Sequence, residues 1–271
     1  MKQLRTQSLK IEIATVLENK LIASNIWEMK MTAPGIAEQY KGAGQFIQIL
    51  VQSSWDSPLR RPMSIAAVDG DQIAIIYKVF GGMTRILTEL KPGAALDIMG
   101  PLGNTFTWGN DEFTSVLVGG GVGLAPILNM YGEGIVSGQE SVLVIGARTS
   151  EEHFIDHDPK NNVFLATDDG TIGVAGTVIP AIEKSLEKIK KPAIFACGPE
   201  PMLKAVQDFA SAHQIPTQIS VESYMGCGVG ICQGCVLEKS NGTISEHTYH
   251  EKYSLVCIDG PVYQSKDVII G

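Results

Sequence analysis

The sequence contains no apolar run approaching the roughly 18 residues of a membrane-spanning helix, and it has no block of basic residues. Residues 1–20 alternate polar and apolar side chains, without the continuous apolar stretch of a secretion signal. Lysine and arginine number 21 against 29 acidic residues, which gives a net charge of -8. We therefore expect a cytoplasmic protein that binds neither nucleic acid nor a membrane surface.

Cysteine is scarce, with five residues in a chain of 271. An odd number of cysteines without a secretion signal does not suit a disulfide framework, so we expect reduced thiols. Internal repeats and low-complexity tracts are also missing from the sequence. With 44% hydrophobic residues, the chain is long enough for two or three domains, each with its own core.

Residues 10–100 alternate polar and apolar side chains in short runs that glycine and proline separate. One helical stretch interrupts them at residues 84–90, with Thr84 as its expected N-cap. Many short strands joined by turns are typical of a small barrel. The pattern predicts an antiparallel β-barrel domain over residues 1–107.

After the barrel the pattern changes, and buried strand segments alternate with helical ones. The first pair is a strand over residues 115–121 that runs into glycines, followed by a helix over residues 124–137. Such alternation implies a wound parallel sheet, so residues 108–220 are expected to form an α/β domain. Residues 101–111 are the candidate hinge, and residues 221–271 form a small third segment rich in cysteine and glycine.

The C-terminal segment holds its cysteines in the spacing C-x4-C-x2-C, with a further cysteine after 21 residues. This order is the plant-type arrangement of a [2Fe–2S] cluster. A loop that carries three thiolates has to coil tightly and point backbone N–H groups at the sulfurs, and glycine allows that coil. The predicted ligands are Cys227, Cys232, Cys235 and Cys257, and the glycines expected at positive φ are Gly226, Gly228, Gly230 and Gly234.

Zinc and disulfides are alternative interpretations of these cysteines. Zinc sites favour paired C-x2-C knuckles, and only one such pair is present. Disulfides suit a secreted chain. A Rieske-type site with His247 and His250 is a further alternative, but four cysteines already suffice. We expect both histidines on a solvated turn after Asn241 and Gly242.

Two stretches of the predicted barrel combine arginine, hydroxyl and glycine residues. Residues 60–64 read R-R-P-M-S at the end of one strand segment, and residues 81–84 read G-G-M-T at the start of the short helix. Together they resemble the flavin signature of the ferredoxin-NADP reductase superfamily. The resemblance implies an FAD site formed by Arg61, Pro62, Met63, Ser64, Ile76, Tyr77, Lys78, Met83 and Thr84.

Within this predicted site, Arg61 and Thr84 would face the pyrophosphate, which suits a guanidinium and the N–H groups of a helix start. Ser64 would hydrogen bond the flavin ring near N5, and the backbone of residues 76–78 would line the ring. Superfamily members often have a second glycine where Met83 stands, so close backbone approach is less favoured there. The alternative interpretation of both arginines is a solvated strand end.

Two glycine-rich turns in the predicted α/β domain each connect a strand to a helix. Residues 119–126 read G-G-G-V-G-L-A-P, and residues 197–202 read C-G-P-E-P-M. The pair resembles the nicotinamide-binding turns of the same superfamily. The resemblance implies an NAD site at Gly119, Gly120, Gly121, Gly123, Pro126, Cys197, Gly198, Pro199 and Met202.

Each turn also has a simpler interpretation as a tight strand–helix connection, and Cys197 as a small buried residue that ends a strand. Cys197 lies in a different element from the four clustered cysteines, so we do not assign it to the cluster. Arg148 and Ser150 would suit the 2′-phosphate of NADP, whereas Glu151 and Glu152 would repel it. We therefore expect NAD rather than NADP.

The order of a flavin barrel, a nucleotide domain and a cysteine segment extends over nearly the whole chain. Its most specific piece is M-G-C-G-x-G-x-C-x-x-C at residues 225–235 with V-C-x-D-G-P-V at residues 256–262. The chain thus resembles the electron-transfer subunits of the type B dihydroorotate dehydrogenases. The resemblance implies one FAD, one [2Fe–2S] cluster and an NAD site, with no catalytic acid or base in this chain.

The same resemblance implies a partner, an FMN-containing catalytic subunit, in a heterotetramer of two plus two chains. The partner would oxidise dihydroorotate to orotate in pyrimidine biosynthesis, and the electrons would pass through the cluster and FAD to NAD+.

Alternatives are a subunit of a related NAD(P)H-ferredoxin oxidoreductase, sulfide dehydrogenase or hydrogenase, a stand-alone flavin or ferredoxin reductase, and a zinc-binding regulator. Exposed apolar residues at Met225, Val229 and Ile231 would argue against a stand-alone reductase, because a docking face is apolar at its centre.

Overall fold

A computed structural model of the chain describes residues 9–51, 59–108, 112–242 and 251–271. The first part forms a closed barrel of six antiparallel strands. The strands are β1 (Lys10–Ala23), β2 (Ile26–Thr32), β3 (Phe46–Leu50), β4 (Arg61–Asp69), β5 (Gln72–Lys78) and β6 (Ala95–Leu102). They neighbour one another in the order β1-β2-β5-β4-β3-β6, which confirms the predicted barrel.

The barrel is filled by alternate side chains of its strands, as a period of two requires. Val16, Met29, Ile47, Ile75 and Ile98 are fully buried in this core. The run over residues 10–31 alternates without a break in the sequence, but a turn divides it into β1 and β2. Asn25 adopts a φ of 57° in that turn, a left-handed conformation that asparagine tolerates better than most residues.

A short helix, α1 (Pro34–Gln39), lies where the proline and glycine pattern predicts only a turn. Proline suits the first position of a helix because its missing N–H would have no helical partner there. The Glu12 carboxylate accepts hydrogen bonds from the backbone N–H groups of Gly35 and Ile36, at 3.1 and 2.8 Å. This contact from β1 is long-range in sequence, so local pattern does not reveal the helix.

The predicted helix of the barrel is α2 (Gly82–Glu89), but its N-cap is Gly81. The prediction of Thr84 as N-cap is therefore wrong. Thr84 is the third helical residue, and its hydroxyl accepts the Gly81 N–H at 3.1 Å, as the third residue of a capping box does. At the other end, the Asn19 amide donates to the carbonyl oxygens of Leu87 and Leu90, at 2.8 and 3.1 Å.

The middle of the chain forms the predicted wound sheet. Its parallel strands are β7 (Thr114–Gly120), β8 (Ser141–Ala147), β9 (Val163–Thr167), β10 (Val174–Ala175), β11 (Pro192–Cys197) and β12 (Thr217–Ser220). Its helices are α3 (Leu124–Ser137), α4 (Val178–Leu186) and α5 (Glu200–Ala212). The sequence pattern predicts a helix over residues 178–189, but α4 ends at Leu186. α3 has the bounds that its pattern predicts.

The cysteine segment contributes three short strands, β13 (Val236–Glu238), β14 (Tyr253–Leu255) and β15 (Val262–Gln264). β13 and β14 pair with each other. β15 pairs antiparallel with β12, so the complete sheet has seven strands in the order β10-β9-β8-β7-β11-β12-β15. The segment is therefore attached to the sheet by backbone hydrogen bonds. The domain boundaries at residues 107 and 220 stay predictions.

Asn104, in the candidate hinge, connects the barrel to this C-terminal segment. Its amide nitrogen donates to the carbonyl oxygens of Asp259 and Val262, both at 2.9 Å. Its amide oxygen accepts the Val262 N–H at 2.9 Å. One side chain thus hydrogen bonds three backbone groups that are 155 and 158 residues away in sequence. Residues 109–111 of the hinge lie outside the described residues.

Within the described part of the chain, no helix combines the length and the apolar character needed to span a bilayer.

The barrel contacts the seven-stranded sheet through an ion pair whose carboxylate is almost buried. Lys78, at the end of β5, places its ammonium 2.8 Å from the Glu152 carboxylate, which also accepts from Arg148 at 2.7 Å. Deeper in the same interface, the Asn129 amide of α3 donates to the carbonyl oxygen of Ile65 at 2.9 Å. These contacts hold the two units in one arrangement.

We expect Glu152→Gln to lower the free energy of unfolding by about 2 kcal/mol at pH 7, because Lys78 loses its charged partner. Burial opposes ionisation of Glu152, but hydrogen bonds from Lys78 and Arg148 hold its pKa below the ordinary value of 4.5. A carboxyl with a lowered folded pKa stabilises the fold above its unfolded pKa, and that contribution disappears as the pH falls through the folded value.

The difference between wild type and Glu152→Gln in urea unfolding should therefore shrink as the pH is lowered below about 4.5. Glu112→Gln is the control, since Glu112 pairs with Lys191 at the exposed surface. It should change the free energy of unfolding by no more than about 0.5 kcal/mol. A Glu152→Gln effect that does not vary with pH would contradict the assignment.

Candidate cofactor and metal sites

Cys227, Cys232 and Cys235 lie in one loop, Cys257 lies in a turn after β14, and backbone N–H groups point at the sulfurs. Cys227 Sγ accepts from the N–H groups of Val229 and Cys232, both at 3.4 Å. Cys232 Sγ accepts from Gly234 N–H at 3.5 Å, and Cys235 Sγ accepts from Cys257 N–H at 3.4 Å. The loop thus provides the donors that a cluster of negatively charged sulfurs needs.

The thiols fall into two pairs. The backbone N–H of Cys232 donates to Cys227 Sγ, and the backbone N–H of Cys257 donates to Cys235 Sγ, both at 3.4 Å. Among the described residues, no three histidine, cysteine or acidic side chains converge on a single ion position. Two pairs of thiols suit a centre with two irons, because each iron then takes two cysteines.

Burial differs strongly along the loop. Cys235 and Cys257 are buried, Cys227 is half-buried and Cys232 is exposed. Burial and the neighbouring Cys235 raise the pKa of the Cys257 thiol to about 12. Burial also acts on Cys227, but its backbone hydrogen bonds outweigh that effect and lower the pKa to about 7. Four thiolates at one place require compensating cations, so the donor set fits a bound [2Fe–2S] cluster.

The loop glycines differ in backbone conformation. Gly228 and Gly230 adopt φ of 72° and 79°, as predicted. Gly226 and Gly234 are not at positive φ, so that part of the prediction is wrong. A Cβ at Gly226 or Gly234 would lie 3.4 or 3.6 Å from Cys232 Sγ, an ordinary van der Waals distance, so the space beside that sulfur does not require glycine. His247 and His250 lie outside the described residues.

The outer surface of the loop is partly apolar. Ile231 is 81% exposed and Tyr224 is 95% exposed. Met225 and Val229, by contrast, pack against the buried group that contains Cys235. Of the three apolar residues considered for a docking face, only Ile231 is therefore strongly exposed.

The candidate flavin residues lie on the barrel around β4, β5 and the start of α2. Arg60 forms an ion pair with Asp97, with both carboxylate oxygens within 3.0 Å of one guanidinium nitrogen. Arg61 donates to the carbonyl oxygens of Leu59 and Arg60, at 2.9 and 3.2 Å. Arg60 therefore stabilises the barrel. The hydrogen bonds of the Arg61 side chain within the described residues go to backbone at the strand end, and Arg61 stays the predicted pyrophosphate residue.

The side chains of β5 point alternately into and out of the barrel. Tyr77 is buried in the barrel core, and its hydroxyl donates to the Asn19 side chain at 2.9 Å. Ile76 packs on the other face against Ala125 of α3. The side chains of Ile76 and Tyr77 are thus occupied by structural contacts, and the role of the backbone of residues 76–78 in lining a ring stays a prediction. The roles of Pro62, Met63 and Ser64 in binding a flavin stay predictions.

The start of α2 is open to solvent. A Cβ built on Gly81 or Gly82 meets nothing within 4 Å. The Thr84 hydroxyl, however, already accepts the N–H groups of Phe80 and Gly81 and donates to the Gly81 carbonyl. The open helix start suits an anionic group. The Thr84 hydroxyl shapes the turn through these hydrogen bonds, and its contact with a pyrophosphate stays a prediction. Met83 lies within this same first turn.

The two glycine-rich turns of the sheet pack directly on each other. A Cβ on Gly123 would collide with the backbone of Cys197 and Gly198, and one on Gly120 would lie 2.5 Å from Met202 Sδ. Gly121 has a φ of 57° and lies beside Pro199. The structure therefore brings the predicted residues of both turns together at the carboxyl ends of β7 and β11, where α3 and α5 begin. Gly119 and Pro126 lie in the same strand-to-helix connection.

Cys197 ends β11 and is buried. Burial raises the pKa of its thiol well above the ordinary range, with a smaller effect of Glu222 and an opposing hydrogen bond from Ser220. A thiol in this state is protonated, which agrees with its separation from the four cluster thiols. Glu222 was not predicted as a site residue, because it follows a strand pattern without any motif.

Glu222 lines a cleft of about 620 Å³ between the start of α5, at Gly198 and Glu200, and the cysteine segment. Glu222 as a whole is exposed to solvent. The protein around its carboxyl group nevertheless removes part of the hydration of that group, and this desolvation raises its pKa. Gly198, Tyr224, Val236 and the C-terminal Gly271 line the same cleft. The cleft gives a ligand access to the end of β11.

Arg148 and Ser150 lie directly after β8. The Arg148 guanidinium is engaged by Glu152 at 2.7 Å. Glu151 provides a backbone carbonyl to Ser24 of the barrel at 2.8 Å. An arginine already paired with a carboxylate is a poor receptor for a 2′-phosphate, which agrees with NAD.

Two family models match the chain. Residues 222–269 match the iron-sulfur cluster binding domain of dihydroorotate dehydrogenase B. Residues 117–208 match an oxidoreductase NAD-binding domain. The first match contains all four clustered cysteines, and the second contains both glycine-rich turns.

Curated relatives match over nearly the whole length. The electron transfer subunit of dihydroorotate dehydrogenase B (NAD(+)) from Geobacillus sp. (strain WCH70) is 33% identical, over 97% of this chain and 100% of the relative. The corresponding subunit from Bacillus pumilus is 35% identical, over 94% of this chain and 97% of the relative.

Solved structures share the fold. A chain of an NADH-dependent reduced ferredoxin-NADP oxidoreductase superposes with a TM-score of 0.81 at 24% identity, covering 96% of this chain and 90% of that chain. The ferredoxin reductase of a carbazole 1,9a-dioxygenase gives a TM-score of 0.64 at 21% identity, covering 77% and 67%. These likenesses support the fold alone.

We expect Gly123→Ala to destabilise the protein by about 3 kcal/mol and to weaken NAD binding, because its methyl group would push the two turns apart. Gly132→Ala is the matched control in α3, since a Cβ at Gly132 meets nothing within 4 Å. It should stabilise the helix by about 0.5–1 kcal/mol. Thermal unfolding and NADH titration measure both effects, and equal behaviour of the two variants would refute the packing argument.

Proposed function

Because the chain belongs to the family of dihydroorotate dehydrogenase B electron transfer subunits, we propose that it carries electrons from an FMN-containing catalytic subunit to NAD+. The partner oxidises dihydroorotate in pyrimidine biosynthesis, and we assign the acid–base chemistry of that step to the partner. Its own contribution is to hold a [2Fe–2S] cluster, FAD and NAD close to one another. We propose a heterotetramer of two plus two chains in the cytoplasm.

The observation that carries this proposal is the contact between the cysteine segment and the barrel. Cys235 and Cys257 belong to one buried group together with Phe46, Met99 and Leu102 of the barrel strands. Electron transfer needs short distances between redox centres, and this packing sets the cluster thiols on the wall of the flavin domain. When bound, the cluster supplies single-electron transfer, and the flavin combines two such steps into a hydride for NAD+.

Different residues would hold FAD and NAD. Arg61 and the open start of α2 would hold the pyrophosphate of FAD, and the backbone of residues 76–78 would line its ring. The packed turns at Gly123 and Cys197 would receive the nicotinamide half of NAD. Glu222 and its cleft lie beside that end of the sheet. The barrel–sheet contacts keep the two nucleotide sites in a constant relation.

The exposed side of the cluster loop is the proposed docking face for the catalytic subunit. Cys232 is the exposed ligand, and Ile231 beside it is 81% exposed. Tyr224 and Ile258 add apolar surface around the same loop. A large exposed apolar residue next to the accessible edge of a redox centre favours an obligate partner over a stand-alone reductase.

An anaerobic visible spectrum with iron and flavin assays tests the cofactor assignment. We expect about two irons and one FAD per chain, and bleaching of both chromophores by NADH. Cys257→Ser should lose most of the iron and keep FAD, because the buried group around Cys257 contains none of the predicted FAD residues. Cys197→Ser is the matched control and should keep both irons. A colourless wild-type chain that holds zinc would refute the redox function.

We expect Ile231→Asp to weaken binding of the catalytic subunit at least tenfold, about 1.4 kcal/mol, because it places a charge at the centre of the proposed docking face. Val136→Asp is the control, since Val136 is 90% exposed on α3, which is not part of this face. Titration of the purified partner measures both, with FAD and iron content as checks of folding. Unchanged affinity in Ile231→Asp would place the partner elsewhere.

A further inference from the structure

Gln48 of β3 is a fully buried amide without a hydrogen-bond partner. Its exposed fraction is 0%, and neither the amide nitrogen nor the amide oxygen has a partner among the described residues. Gln45, three positions earlier, is equally buried but satisfied. Its oxygen accepts Lys41 N–H at 2.7 Å, and its nitrogen donates to the Gly103 carbonyl at 3.3 Å. The lack of partners is thus particular to Gln48.

The Gln48 amide lies against the cluster loop. A Cβ built on Gly228 would come 2.8 Å from Gln48 Nε2 and 3.0 Å from its Cγ. Gly228 directly follows Cys227 in the C-x4-C-x2-C loop. Strand side chains alternate, so Gln48 shares the outward face of β3 with Phe46, which packs in the buried group of Cys235 and Cys257. The amide therefore lies between the barrel wall and the thiol loop.

A buried amide is unfavourable unless it is hydrogen bonded, and an apolar side chain of the same size would pack here without that cost. Sulfur is the acceptor that this place would offer once the cluster is bound. The backbone N–H groups around Cys227 already point at its sulfur, at 3.4 Å. An additional side-chain donor from the barrel would complete that shell on the side facing the flavin domain.

We propose that the Gln48 amide donates a hydrogen bond to the sulfur atoms of the [2Fe–2S] centre and thereby raises its reduction potential. The inference rests on the four-thiol site proposed above. Reduction adds negative charge to the centre, and a donor stabilises the reduced form more than the oxidised form. Gln48 is a positioning and tuning residue in this role.

Gln48→Met tests the proposal, because it keeps the length of the side chain and removes the amide. We expect unchanged iron and sulfide content and a more negative midpoint potential in an EPR-monitored redox titration. A tenfold loss in the one-electron reduction equilibrium corresponds to about 59 mV. In resonance Raman spectra, the shift of the iron–sulfur vibration frequencies on exchange from H2O into D2O should be smaller in Gln48→Met than in wild type. Gln72→Met, at the exposed start of β5, is the control and should leave both readouts unchanged.

The cluster-free chain provides a second readout. Gln48→Met should be at least as stable as wild type there, because no hydrogen bond is lost, whereas Gln45→Met should be less stable. Gln48→Leu repeats the titration if the methionine variant does not fold.

Three results would overturn the proposal in different ways. An unchanged cluster potential refutes the hydrogen bond. A shift of the flavin potential with an unchanged cluster assigns the amide to FAD instead. A wild-type chain without iron refutes the proposed four-thiol site itself. This outcome is distinguishable from refutation of the Gln48 hydrogen bond alone, in which iron is still bound.

Discussion

The attachment of the cysteine segment to two neighbours at once is the constraint on which the rest of the structure depends. β15 is hydrogen bonded to the edge of the nucleotide-binding sheet, and Cys235 and Cys257 are buried against Phe46 of the barrel. Asn104 connects the same segment to the hinge through three hydrogen bonds. If either attachment moved, the thiols would no longer lie between the two nucleotide-binding units.

Close backbone packing then sets the positions of the ligand-binding turns. Gly123 permits contact with the backbone at Cys197 and Gly198, and no residue with a side chain would allow it. Gly103, at a φ of 76°, packs against Gly260 and Pro261 in the same manner. Both contacts join segments that are distant in sequence. At these two positions glycine allows distant segments to pack closely, in addition to allowing unusual backbone conformations.

Polar groups are satisfied very differently in the two halves of the molecule. At the barrel–sheet interface, Lys78 and Arg148 both reach Glu152, so that charge is fully compensated. At the cysteine loop, four thiols and the Gln48 amide are brought together with no cationic partner among the described residues. The first arrangement stabilises the fold by itself, and the second becomes favourable when a cationic centre binds.

The sequence by itself determined the order of the elements and the chemistry of the sites. Period-two alternation predicts the barrel, strand–helix alternation predicts the sheet, and the spacing of Cys227 to Cys257 predicts the cluster. These signals are local, because they depend on the periods of strands and helices and on the distance that a short loop can cover. These signals correctly predict the bounds of α3 and the positions of both glycine-rich turns between a strand and a helix.

Tertiary structure decided which of these residues meet. The role of Thr84 within the α2 turn, the helix at Pro34 and the edge strand β15 depend on contacts that local pattern does not contain. The same holds for the separation of the cysteines into two pairs, for the ion pair of Lys78 with Glu152 and for the position of Gln48 against Gly228. Such contacts join residues far apart in the chain, and their existence depends on how whole domains pack, because side-chain periodicity specifies a buried face but not the surface that covers it.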